Sequence, residues 1–217
     1  MLHPGNPAAS AAPAASTGGT DPQVAGEPDE VAALITATWT VTARVGSIEP
    51  SVREILEQAG LSTKAFYRHF RSKDELLLVA LDEGTRVLVE YLERRMAAAA
   101  DPKAAIGAWI DGFVRQAVHP SAAQRTRPWT LGSGRLASTF PADFERNQRA
   151  IAALLEREIA RAVAKGTARS PDPARDARLI YAYTSDTVRV HLLRGSVPDA
   201  DTTAHLVTFA HRALAVD

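Results

Sequence analysis

The chain has 217 residues, with 25 Lys+Arg against 25 Asp+Glu, so its formal net charge is zero, and 46% of it is hydrophobic, enough to bury a core. It contains no cysteine, which excludes a disulfide framework, a thiolate zinc site and a cysteine nucleophile. Alanine is the commonest residue and Arg outnumbers Lys 21 to 4, a composition that favours helix.

Residues 1–28 are mostly Ala, Pro, Gly, Ser and Thr without periodicity, which predicts a disordered tail. No Lys or Arg precedes Arg44, so the tail lacks the cations of a minor-groove arm. The uncharged stretch Val31–Ala43 covers 13 residues and holds four threonines, whereas a membrane span needs about 20 apolar residues. No basic residue precedes an apolar run in the manner of a secretory signal. A cytoplasmic protein with no membrane partner is the expectation.

Helix signals then repeat along the chain. Val31, Leu34, Ile35, Thr38, Val41 and Val45 follow the 3,4 spacing of one helical face, closed by Gly46. Ser51 and Glu54 form a capping box that opens a short second helix, ended by Ala59-Gly60. Ser62 caps a third helix running to about His69. Ser72 with Glu75 opens a long fourth through Leu76, Leu77, Ala80, Leu81, Leu88 and Leu92. Asp101-Pro102 starts a fifth, which His119-Pro120 breaks. Residues 120–140, with Pro128, Gly132 and Gly134, read as the least regular part. Pro141 starts a long amphipathic helix ended by Gly166, Asp172-Pro173 another ended by Gly195, and a last one runs from about Asp201 to Ala215. No stretch alternates like a strand with a hairpin turn, so the prediction is an all-α chain of about nine helices.

Residues 51–70 hold two short helices joined by a tight turn, a helix-turn-helix whose second helix can enter the major groove. Gly60 suits that turn because the residue there must leave the helix with positive φ. Ile55, Leu61 and Phe66 are the candidate small core. At 100° per residue, Thr63, Lys64, Tyr67 and Arg68 share one side of the third helix, with Ser62, Phe66, His69 and Phe70 on or near the other. The first set offers hydroxyl, ammonium, phenol and guanidinium groups, all suited to phosphates and base edges. Between residues 51 and 73, Arg53, Lys64, Arg68, Arg71 and Lys73 oppose only Glu54 and Glu57, a local excess of positive charge in a neutral chain. The N-termini of the second and fourth helices add free N–H groups. On these features two readings stay open: a DNA-binding regulator, or a helical ligand-binding or protein-interaction module whose helix-turn-helix does not read DNA.

The runs Val52-Arg53-Glu54-Ile55, Ala59-Gly60-Leu61-Ser62, Phe66-Tyr67-Arg68-His69-Phe70 and Lys73-Asp74-Glu75-Leu76 resemble the DNA-binding domain of the tetracycline-repressor (TetR) family. That resemblance implies a homodimeric transcriptional regulator, usually a repressor, released from double-stranded operator DNA by a small molecule. It divides the chain into a helix-turn-helix domain over residues 29–73 and an effector-binding and dimerisation domain over 74–217. It implies phosphate contacts from Tyr67, His69 and Lys73 and base contacts from Thr63 and Lys64, with Ser51 capping the second helix within reach of phosphate. Arg53, Ser62 and Arg68 complete the candidate DNA-binding set. Lys64 stands where many members have Gly and can reach guanine acceptors. Ala65, where many have Thr, offers at most a methyl contact, and Thr42, where Phe is common, leaves a corner of the small core either looser or filled by Trp39.

The resemblance implies that the last two helices make the dimer, and Ala177, Ile180, Tyr181, Thr184, Val188, His191 and Leu192 on one and Val207, Ala210 and Leu214 on the other form compatible stripes that are as easily intramolecular core. Trp109, Phe113, Trp129, Phe140, Phe144 and Tyr183 are the candidate effector-pocket lining, with plain core the more ordinary place for each. The six histidines show no metal-ligand spacing, and no cofactor is expected. Gly132-Ser133-Gly134 is not a nucleophile elbow and no Gly-Lys-Ser/Thr phosphate loop occurs, so no enzyme is expected.

Overall fold

The computed structural model describes residues 27–215. The tail expected over residues 1–28 therefore lies outside the described residues, apart from its last two positions, which are already helical. Proline is tolerated in a first helical turn, where its missing N–H would have no partner anyway.

Ten helices follow: α1 (Glu27–Val45), α2 (Val52–Ala59), α3 (Thr63–His69), α4 (Lys73–Ala97), α5 (Pro102–Val118), α6 (Pro120–Leu131), α7 (Ser133–Thr139), α8 (Pro141–Ala164), α9 (Pro173–Arg194) and α10 (Ala200–Ala213). No strand occurs among the described residues. Side-chain caps set most starts: Ser51, Ser62, Ser72, Asp101, Asp172 and Asp199 each accept a hydrogen bond from a backbone N–H of the following first turn. At Ser72 the box is altered, because Glu75 reaches back to the N–H of Arg71 rather than of Ser72.

The expectation of an irregular segment over 120–140 is corrected: it forms α6 and α7, which raises the helix count from about nine to ten. Its helix breakers stand where a helix accepts them. Pro120 is in the first turn of α6, and Gly132 lies between α6 and α7 in ordinary right-handed conformation. Pro128 does sit inside α6, yet it and Trp129 are buried, so tertiary packing overrides local propensity.

Three apolar clusters organise the chain. Leu34, Ile55, Phe66, Phe70 and Leu76 close a small head around α1–α3 and the start of α4. A larger body cluster includes Leu92, Ile106, Trp109, Leu155, Ile159, Val188 and Leu192. Between them, Ile48, Leu77, Ala80, Trp129 and Leu136 form a seam, with Trp39 and Phe144 packed against it. The 25 residues of α4 extend about 37 Å at 1.5 Å per residue, so one helix contributes to all three. Of the two readings of the stripe on the last two helices, partner surface or intramolecular core, most of its residues take the second. Ala177, Ile180, Val188, Leu192, Ala210 and Leu214 belong to the body core, and Thr184 is fully buried among them. Tyr181 and Val207 pack at the edge of that core.

Candidate nucleic-acid interface

The helix-turn-helix follows from its caps. Ser51 Oγ accepts from the Glu54 N–H at 3.2 Å and Glu54 Oε2 accepts from the Ser51 N–H at 2.8 Å, closing the predicted box. Those bonds from Ser51 hold the Glu54 carboxyl below its ordinary range. Gly60 ends α2 at φ 67°, the left-handed conformation the turn needs, and Ser62 Oγ then accepts from the Ala65 N–H at 3.2 Å to start α3.

Helix α3 presents Thr63, Lys64, Tyr67 and Arg68 outward, while Ala65, Phe66 and Phe70 are buried. Tyr67 is 63% exposed, a large aromatic left bare. Burial of Ala65 corrects the expectation that its methyl is available to a base. Ser62 and Arg53 are exposed at the edge, Arg53 paired with Glu57 at 2.7 Å.

Two neighbouring carboxylates, which local sequence could not reveal, alter the electrostatics. Glu30 of α1 accepts from Arg68 at 3.0 Å and lies 2.8 Å from Nε2 of His69, whose side chain is only 11% exposed. His69 thus ties α3 to α1 rather than standing bare beside Tyr67. Glu49, before α2, approaches Lys73 at 3.4 Å and Arg135 at 2.9 Å, and Arg135 also holds Asp74. The positive excess counted along residues 51–73 is therefore partly offset in space. Among the described residues, Lys64 and Arg71 have no ion-pair partner.

Behind the seam lies a cavity of about 1980 Å³ bounded by α1 and α4–α9. Of the six expected lining residues, Phe113, Trp129 and Phe144 line it. Trp109 is fully buried behind Phe113, with ring centroids 5.1 Å apart. Phe140 precedes α8 and does not line the cavity, and Tyr183 faces α10, its hydroxyl donating to the Leu206 carbonyl at 3.0 Å. The aromatic lining residues missed are Trp39, Tyr91 and Tyr181, and the Tyr181 ring meets Phe113 edge-on at 5.7 Å. Burial pushes its hydroxyl up to about 12. Positions 181 and 183 are 200° apart on a helix, so choosing one put the other on the wrong side.

A family model described as bacterial regulatory proteins, tetR family, matches residues 34–80. The HTH-type transcriptional regulator BetI of Yersinia pestis is 30% identical over 164 residues, spanning 68% of this chain and 79% of that protein. The chain belongs to the TetR family. It is accordingly a DNA-binding transcriptional regulator of the helix-turn-helix type. Solved structures share the TetR-family fold: NemR of E. coli at TM-score 0.73 and 16% identity, covering 87% of this chain and 98% of that one. FadR of Bacillus subtilis, solved with stearoyl-CoA, aligns at TM-score 0.68 and 18% identity over 82% of this chain and 96% of that one. No helix among the described residues of this TetR-family chain is long and apolar enough to cross a membrane.

The corner around Thr42 is built differently from the expectation. Thr42 is fully buried, and its Oγ1 accepts from Trp129 Nε1 of α6 at 3.2 Å. Trp39 Nε1 donates to the Ala80 carbonyl at 3.1 Å, and the Trp39 and Trp129 rings lie 4.5 Å apart. The corner is filled by both tryptophans, one from the head and one from the body, rather than by Trp39 alone.

Proposed function

We propose that this TetR-family chain is a cytoplasmic repressor that holds operator DNA as a homodimer and releases it when a small molecule occupies the cavity behind the seam. The observation that carries the reading is the bare outer side of α3, with Thr63, Lys64, Tyr67 and Arg68 all exposed on one short helix. In this reading residues 29–73 form the DNA-binding unit and 74–217 the effector-binding and dimerisation unit. Thr63 and Lys64 meet base edges, Lys64 reaching guanine acceptors. Tyr67, Arg68, Arg53 and Lys73 bind phosphate, joined by the capped N-termini at Ser51 and Ser62. His69 acts through Glu30, fixing α3 against α1.

Two such heads, one helical turn of duplex apart, read two half-sites. The partner surface that fits is the exposed apolar side of the last two helices, where Leu179 is 60%, Leu193 54% and Phe209 54% exposed. Release then requires the ligand to favour a spacing of the heads that DNA rejects, for which a coupling of about 1–3 kcal/mol suffices. Only binding equilibria are involved, and no reaction is catalysed. Support for ligand release comes from the cavity and from relatives in fold: RolR was solved with resorcinol and FadR with stearoyl-CoA.

Fluorescence anisotropy with the DNA upstream of its own gene tests the reading. A dimer neutralising about seven phosphates gives log K against log salt a slope near −6. Salt-insensitive or absent binding to that DNA would remove the repressor reading and leave a helical module that does not read DNA.

A further inference from the structure

We propose that the cavity takes an amphiphilic anion, with an acyl or aromatic body lying against its aromatic wall and a carboxylate or phosphate head paired with Arg125 or Arg178. The proposal rests on the reading of the cavity as the effector site and names the class of effector.

Charge pairing around the cavity leaves three arginines with no carboxylate within ion-pair distance among the described residues: Arg44, Arg125 and Arg178. Three carboxylates line the cavity, and each already has an arginine: Glu83 pairs with Arg86, Glu145 with Arg149, and Asp186 with Arg189. Of the lining arginines, Arg115 is held by Asp111 at 3.0 Å, and Arg44 lies close enough to Glu54 to help hold its carboxyl below the ordinary range. Arg125 and Arg178 have no carboxylate within ion-pair distance among the described residues. Arg125 also stands over an aromatic ring, and Arg178 shares a helix face with one. The Arg125 guanidinium lies 5.8 Å from the centre of the Trp39 ring, which packs on Trp129. Arg178 is one helical turn before Tyr181, whose ring meets Phe113. An arginine on an aromatic face is weakly hydrated and keeps its planar fork free for an oxyanion.

The rest of the lining fits the other half of such a molecule. Leu88, Ile151 and Val188 add to the apolar lining of the cavity. At about 1980 Å³ the space exceeds the roughly 300–1,000 Å³ of ordinary small-molecule pockets, which suits an extended ligand. A cation of the same shape meets uncompensated positive charge, and a neutral alcohol leaves both guanidinium groups without an ionic partner.

Isothermal titration calorimetry on the full chain, without DNA, compares three probes of equal chain length: dodecanoate, 1-dodecanol and dodecyltrimethylammonium. Dodecanoate is expected to bind about tenfold tighter than either, a modest figure because both arginines are exposed. In the Arg125→Gln/Arg178→Gln double variant that lead should vanish while dodecanol binding is unchanged. Both positions are on the surface, and a thermal melt checks that the variant folds. Equal binding of dodecanol, preference for the cation, no binding of any probe, or an anion lead that survives in the double variant would overturn the proposal. Operator release is scored separately: dodecanoate that binds through these arginines without releasing DNA upholds the ligand class and refutes the release step.

Discussion

Lys64 and Lys73 carry the same charge in different surroundings, and their substitutions should differ accordingly. Lys64 stands exposed in the first turn of α3 with no carboxylate on it among the described residues, whereas Lys73 starts α4 with Glu49 3.4 Å from its ammonium. Lys64→Ala is expected to relax base preference at one position per half-site, a loss of about 1–3 kcal/mol for the preferred base. Lys73→Ala should weaken all sequences alike and flatten the salt slope by about one unit for each phosphate no longer neutralised. Binding-site selection on both variants reads the difference, and an equal loss across sequences for both would refute the division of roles. The outward set of α3 was legible because a 100° step per residue fixes which side each residue takes. The grip of Glu30 on Arg68 and His69 was not, because those residues are 38 and 39 positions away and meet only once α1 packs on α3.

Among elements, α6 ties head to body. Its Trp129 reaches Thr42 of α1, its Arg127 donates to the Leu192 carbonyl of α9 at 2.8 Å, and its Arg125 covers Trp39. Proline and glycine spacing hid it, because those residues mark helix ends as readily as loops and only burial tells which. The long helices were legible from their caps and apolar period, since those signals are local. Close approach across the seam depends on Gly84, where an added Cβ would lie 2.3 Å from Trp39 Cζ2. Gly84→Ala gains up to about 1 kcal/mol of helix propensity. Overpacking a held indole costs about 1–3 kcal/mol, so the net effect is destabilising. A thermal melt should show a fall of a few degrees, at about 2–4 °C per kcal/mol. A raised melting temperature would show that the seam yields.

At the scale of the whole molecule, the inward turn of the stripe on α9 and α10 changes which residues can join two chains. Leu179 and Leu193 of α9 and Phe209 of α10 are the large apolar groups left exposed there. Leu179→Glu/Leu193→Glu is expected to leave the body core intact and give monomers by sedimentation. Operator affinity should fall by about 100-fold or more, because the second head no longer arrives already tethered. A double variant that remains dimeric would place the contact elsewhere. The amphipathic period of α9 was legible, but whether its apolar stripe meets a partner or its own α5 and α8 was not, since either burial gives the same pattern. The paired indoles at the seam have an optical consequence. Two rings 4.5 Å apart couple as chromophores, so near-ultraviolet circular dichroism should report any slippage of head against body without a label. Trp109, fully enclosed in the body, is an internal reference whose signal stays constant while theirs changes.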